Sequence, residues 1–161
     1  MQIQRAIITG GAGFVGGAIH QALRDQHPQC SITIVDFRPS VDLANKKLTT
    51  FVKANVTNFQ EISAAIRNAA PQVVFHCAGI VPPLHERHAR RMESLVLRVN
   101  VEGTRNTIEA AKAAACPAFV FTSSCTAVID DLTRQYPNID ETWPASSKST
   151  IYGESKVSPL R

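Results

Sequence analysis

No apolar run in this chain approaches the roughly 20 residues that a membrane-spanning helix requires, which excludes a bilayer span of that kind. The four cysteines, Cys30, Cys77, Cys116 and Cys125, form no C-x-x-C pair. A redox or zinc motif is therefore not indicated, and reduced thiols serving as small apolar fillers in or beside strands are expected. There is no internal repeat and no low-complexity tract. Basic charge is not gathered either: the net charge of +4 is scattered apart from Arg87, Arg90 and Arg91. Weak attraction to anionic surfaces follows from that balance, but nucleic-acid binding does not. The opening Met1-Gln2-Ile3-Gln4-Arg5 runs straight into strand-like residues and leaves no room for the apolar core of a signal peptide, so a cytoplasmic protein is expected.

What is present is the composition of one globular domain, with 161 residues, 44% of them hydrophobic and 19% charged. Apolar strand-like runs alternate with helix-like segments, which implies β-α-β units and a parallel sheet. Strands are expected at 5–9, 31–35, 50–53, 72–76 and 118–122. Their Val, Ile and Phe content suits a sheet buried on both faces. Helices are expected at 14–25, at 59–69, and over a long stretch from Arg87 to Ala115 with Met92, Leu95, Val96 and Val99 on one face. Residues 125–150 read as a long loop near the strand ends, and a helix starts near Ile151. The fold class is α/β, a Rossmann-type doubly wound parallel sheet with helices on both faces, occupying residues 1–161 as one dinucleotide-binding domain.

Between the first strand and the first helix lies Thr9-Gly10-Gly11-Ala12-Gly13-Phe14-Val15-Gly16. Glycines at 10, 13 and 16 permit a tight turn and close approach of backbone to a pyrophosphate, while the helix N-terminus offers N–H donors. Gly10, Gly13, Phe14, Val15 and Gly16 are therefore candidate cofactor contacts. Asp36 ends the second strand twenty positions after Gly16, where an acid accepts hydrogen bonds from adenosine ribose hydroxyls and repels a 2′-phosphate. This favours NAD over NADP, with Arg38 partly offsetting the repulsion. Asn55 and Val56 after the third strand, and Ala78 and Gly79 after the fourth, lie at further sheet ends; each reads equally as a turn residue or as a lining of the adenosine trough.

Tyr152 and Lys156 are four apart and share a helix face. A tyrosine is a poor base near neutral pH, but a nearby ammonium and a cationic nicotinamide stabilise its phenolate and lower its pKa. Upstream, Thr122-Ser123-Ser124 ends the fifth strand. Ser124, chosen over Ser123, can hydrogen-bond the same substrate oxygen.

These residues resemble the extended short-chain dehydrogenase/reductase family through TGGAGFVG, Asp36, HCAG at 76–79, NVEGT at 100–104, FTSS and YGESK. Within it, VVFHCAG, RVNVEGTRNTIEAAK and DETWP look most like the 3β-hydroxysteroid dehydrogenase and sterol-4α-carboxylate 3-dehydrogenase branch. The resemblance implies a catalytic set of Ser124, Tyr152 and Lys156, with Tyr152 as acid or base and both Tyr152 and Lys156 also touching the cofactor, Lys156 at the nicotinamide ribose. Asn100 matches a family asparagine, and reads equally as a polar residue stabilising a helix irregularity. Related chains are about twice as long, and Pro159 falls where the Tyr152 helix should propagate, so the ending 157–161 is expected to be foreign or truncated.

His85-Glu86-Arg87-His88 has histidines three apart but no further ligand cluster, and no metal is expected. Pro82-Pro83 with the basic cluster can form a substrate-side loop or touch a membrane surface, and family resemblance allows association with the endoplasmic reticulum. The leading expectation is NAD-dependent oxidation of a secondary alcohol, the 3β-hydroxyl of a sterol or steroid, by a protein free to form homo-oligomers. A nucleotide-sugar epimerase or dihydroflavonol-reductase-like enzyme is the alternative on the same motifs. A nucleotide-binding fragment without turnover is the third.

Overall fold

The computed structural model describes residues 2–38, 47–86, 90–129, 138–140, 142 and 150–158. Arg87, His88, Pro39, Pro159 and most of the 125–150 loop lie outside the described residues. The chain divides into two compact units, 1–78 with 103–122, and 79–102 with 123–161.

The first unit holds a five-stranded parallel sheet. Its strands are β1 (Arg5–Thr9), β2 (Ser31–Asp36), β3 (Thr49–Lys53), β4 (Val73–His76) and β5 (Ala118–Phe121), in the order β3-β2-β1-β4-β5. Each expected strand is found, displaced at its ends by one residue at most. β1 is central, pairing Ala6 with Ile32 on one side and with Val73 on the other. Side chains alternate between faces. One set, Ala6, Ile8, Ile32, Ile34 and Val73, forms a core with Leu23 and Ile19 of α1 (Phe14–Gln26). Residues of the opposite set meet other helices. His76 lies 2.7 Å (Nδ1) from Thr9 Oγ1 and 2.9 Å (Nε2) from Thr104 Oγ1 of the helix at 103–113, and its ring stacks on Phe121. Fully buried Ile62 and Ile66 belong to α2 (Phe59–Ala69). Helices thus cover both faces, which is why β1 is buried at four consecutive positions.

The second unit contains α3 (Glu93–Leu97), a π turn (Arg98–Glu102), short 3₁₀ turns at Leu84–Glu86 and Cys125–Ala127, and α5 (Ile151–Val157); α4 (Gly103–Ala113) follows the π turn in sequence and belongs to the first unit. The single helix expected over 87–115 is therefore corrected to three pieces. Of the four apolar residues expected on one face, Val96 is buried, Met92 and Val99 are half-buried, and Leu95 is exposed. A π turn carries an extra residue, so the 3.6-residue register slips within it. No disulfide joins the four cysteines. Cys30 and Cys77 pack at the α1 face as fillers, and burial pushes the Cys30 thiol up from its ordinary value. Cys125, by contrast, is exposed, which corrects its reading as a filler.

Ends of α2 show how sequence writes local structure. Asn58 caps it by accepting from the N–H groups of Gln60 and Glu61, while Glu61 returns a carboxylate to the Asn58 amide and to Asn55 N–H. The C-cap is Ala70, left-handed at φ 41° and bonded to the carbonyls of Arg67 and Ile66. That conformation costs a residue with a Cβ roughly 1–2 kcal/mol. Ala70→Gly is expected to raise stability by about 1 kcal/mol, less the entropy glycine adds to the unfolded chain. A urea midpoint that does not rise would contradict this account of the cap.

Candidate active site

In the first unit the strand order reverses at β1, and chain leaves β1 and β4 side by side. Parallel sheets bind ligands at such a point. Gly10 sits there at φ +68°, donating its N–H to Val35 O at 2.8 Å. A Cβ on Gly10 would stand 2.6 Å from Ala78 N, inside any real contact. A Cβ on Gly16 would stand 2.5 Å from Gly10 O, so the helix can approach the turn only because both positions lack side chains. Gly13 is the N-cap of α1 and supplies no side-chain cap, and the first turn carries no acid. The free N–H end of a 13-residue helix and its positive dipole therefore face outward at the turn. Phe14 is 95% exposed, so apolar surface stands in water beside that N-terminus.

Asp36 closes this arrangement from β2. Its two carboxylate oxygens accept from Ala12 N and Arg38 N, each at 3.0 Å. Beyond it an open depression of about 340 Å³ is lined by Phe37, Lys53, Ala54, Asn55 and Glu61. Asn55 folds into an Asx turn, its Oδ1 accepting from Thr57 N at 3.0 Å. Val56 is buried, its carbonyl accepting from Asn106 and its side chain lying where a Cβ on Gly103 would fall, 2.6 Å away. Asn55 thus reaches the depression, while the side chain of Val56 packs inside the first unit.

The second unit brings Ser124, Tyr152 and Lys156 together. Thr150 caps α5 with its hydroxyl accepting from Gly153 N at 3.1 Å, and the fully buried Ile151 anchors the first turn. Tyr152 is half-buried on a helix that packs against the Ser124 turn, and Ser124 acts to lower its phenol pKa. Ser124 Oγ accepts from Thr126 N at 3.3 Å and Thr126 Oγ1 at 2.9 Å, which orients the serine within its 3₁₀ turn. Ser123 is exposed. Lys156 is buried, with Nζ 5.5 Å from the centroid of the Tyr152 ring. Burial pushes the Tyr152 phenol above its ordinary value, the Ser124 hydrogen bond pulls it down by less, and Cys125 adds to the rise. The lowering expected from a nearby ammonium is thus reversed in the protein alone, because the phenolate loses more hydration than the hydrogen bond returns.

Asn100 occupies the π turn. Its Oδ1 accepts from Ile80 N at 2.7 Å, and its Nδ2 donates to Ile80 O at 3.0 Å and Ser155 Oγ at 2.9 Å. A Cβ on Gly79 would stand 3.3 Å from Asn100 Oδ1, so Gly79 gives the Asn100 amide its space, and 3.6 Å from Lys156 Nζ, an ordinary contact. Arg90, left-handed at φ 52°, forks onto Glu93 and onto Glu154 of α5, the latter at 2.8 and 3.0 Å. Arg91 reaches Glu86 at 3.3 Å. Sequence reasoning missed Thr150, Ser155, Arg90 and Glu154. A threonine before a helix start signals a cap; nothing in the sequence marked the other three. Among the described residues no group of acids, histidines and cysteines could hold a metal, and no helix is long and apolar enough to cross a membrane.

Residues 7–158 match the model of the 3-beta hydroxysteroid dehydrogenase/isomerase family. The chain is 32% identical over 163 aligned positions to the sterol-4-alpha-carboxylate 3-dehydrogenase, decarboxylating, of Saccharomyces cerevisiae, covering 97% of this chain and 44% of that protein. It is 33% identical over 159 positions to a 3-beta-hydroxysteroid dehydrogenase of Mycolicibacterium neoaurum, covering 95% and 40%. The chain therefore spans less than half the length of these relatives. The crystal structure of a Thermus thermophilus UDP-glucose 4-epimerase in complex with NAD superposes with a TM-score of 0.79 over 96% of this chain and 48% of that one. At 24% identity that likeness is one of fold.

Gly10→Ala tests the glycine turn. It is expected to cost several kcal/mol, because left-handed strain adds to a backbone overlap that cannot relax cheaply. A thermal midpoint within a degree or two of wild type would refute the close approach of the two strand ends.

Proposed function

Because the chain belongs to the 3-beta hydroxysteroid dehydrogenase/isomerase family, we propose that it is the cofactor-binding and catalytic part of an NAD-dependent dehydrogenase that oxidises a secondary alcohol, the 3β-hydroxyl of a steroid or sterol. One observation carries the reading: a half-buried tyrosine on a helix packed against the serine's turn and one helical turn from a buried lysine. Sterol and steroid dehydrogenases among the relatives support the substrate class.

The residues of the first unit fit a dinucleotide. A Cβ on Gly10 or Gly16 would overlap neighbouring backbone, so the turn stays this tight only with glycine, and the uncapped N-terminus of α1 beside it suits a pyrophosphate. Asp36 uses one hydrogen bond on each oxygen, and a carboxylate has acceptor capacity left for two ribose hydroxyls. Phe37 and Asn55 line the depression offered to the adenine. When bound, NAD supplies the acceptor for the hydride leaving the alcohol carbon.

The chain's own residues handle the proton and the oxygen. Ser124 keeps its hydroxyl proton available, since Thr126 donates to it, and so holds the substrate oxygen beside the Tyr152 hydroxyl. Tyr152 takes the alcohol proton as the carbonyl forms and returns it in the reverse reaction. The buried Lys156 ammonium stabilises the phenolate that this requires.

The test is oxidation of 3β-hydroxysteroids by the chain, followed as NADH absorbance. Tyr152→Phe is expected to lower kcat on the order of 10²–10⁴-fold with NAD binding retained. Asp36→Ala is expected to weaken NAD on the order of tenfold while leaving NADP nearly unchanged. No oxidation by a chain that binds NAD would sink the catalytic reading.

A pH dependence follows from the raised phenol. The base form is scarce at neutral pH, so oxidation should accelerate as pH rises toward the tyrosine range, and the reverse reduction should favour lower pH. A rate of oxidation that falls from pH 7 to pH 9 would exclude Tyr152 as the base.

A further inference from the structure

The relay from Ile80 through Asn100 to α5 has a direction that can be read from its atoms. A backbone N–H can only donate, so the Asn100 atom 2.7 Å from Ile80 N is its carbonyl oxygen. The amide NH₂ then faces Ile80 O at 3.0 Å and Ser155 Oγ at 2.9 Å. Ser155 is the acceptor in that bond, which leaves its own proton for the Tyr152 carbonyl at 2.8 Å. In an α-helix the Tyr152 carbonyl also receives the N–H of Lys156. One hydroxyl, fully buried, therefore braces the peptide units of both Tyr152 and Lys156.

The brace has something to do. α5 has seven residues, too few to be stable or rotationally fixed by itself. Its N-terminus is held by Thr150 and its exposed side by Arg90 on Glu154. Ser155 adds a third attachment, next to the peptide unit of Tyr152 itself. Ser155 precedes Lys156 and lies three residues from Tyr152, and its bond to Asn100 ties this part of the helix to the π turn.

We propose that Ser155 is a positioning residue for the acid/base tyrosine, locking α5 against Asn100 so that the Tyr152 hydroxyl is presented to Ser124. The proposal rests on the assignment of Tyr152 as acid/base, and its test separates the two. Ser155→Ala removes the hydroxyl, and Ser155→Cys keeps the volume with a much weaker donor; Asn100 retains both bonds to Ile80 in each, so the fold should survive, and the cysteine variant carries the test if the alanine one does not fold.

Two quantities are measured on the whole chain in a Tyr136→Phe background, which leaves Tyr152 the only tyrosine of the two present. One is the ultraviolet titration of the phenol, without cofactor. Its midpoint should move upward by about half a pH unit or more, the size of one lost hydrogen bond from Ser124. Ser124→Ala should give a similar shift, and the double variant no more than either alone, since both act through one contact. The other is turnover: kcat should fall on the order of tenfold or more with the Kd for NAD unchanged within about twofold. An unmoved phenol midpoint overturns the proposal, whatever happens to kcat, and assigns Ser155 to packing. Additive shifts in the double variant overturn it as well. A chain that oxidises no 3β-hydroxysteroid refutes the proposed function, while the titration still decides the role of Ser155.

Discussion

Where β1 and β4 end, two backbones pass closer than a side chain allows, and Gly10 is the residue that makes the passage possible. Its left-handed φ turns the chain out of the sheet, and the space its missing Cβ leaves is taken by the Ala78 peptide. Gly16 extends the same constraint to the first helix, whose N-terminus rests on the Gly10 carbonyl. Asp36 adds the third strand end by accepting from Ala12. Three strands and one helix are thus gathered at one point by steric exclusion, and the uncapped N-terminus of α1 opens beside it. The rest of the first unit supports this point from behind, with one layer of isoleucines under α1 and the His76, Thr9 and Thr104 cluster on the opposite face of the sheet.

The second unit works by a different principle. Its central helix is short, and polar contacts in buried surroundings orient it. Asn100 is satisfied on both its oxygen and its nitrogen, and the π turn that carries it is the local irregularity by which its amide reaches Ile80 and Ser155 together. A fully satisfied buried network specifies one arrangement strongly, because every alternative leaves a donor or acceptor dry. Precision of this kind matters more for a proton transfer than for packing, since small displacements of reacting groups cost large factors in rate.

The tyrosine shows the two demands in conflict. Burial brings its hydroxyl to Ser124 but also disfavours the phenolate. In the proposed reaction the phenolate would therefore need a positive charge beside it, and Lys156 is the buried basic side chain one helical turn away.

The sequence by itself determined the parallel sheet, its strand positions, the glycine turn and the tyrosine–lysine pair. These are local matters: Val- and Ile-rich runs declare strands buried on both faces, glycine spacing declares a turn, and a separation of four declares a shared helix face. The 59–69 helix was legible at both ends, and Asn58 with Glu61 bears a capping pattern. The break in the long helix after β4 was legible only as one of two readings of Asn100, because a π turn leaves no signature in apolar periodicity. Ser155, Arg90 and Glu154 were invisible. Their partners lie 55 and 64 residues away along the chain, and only tertiary structure brings such distant groups within the 3 Å that gives a hydroxyl or a guanidinium its role.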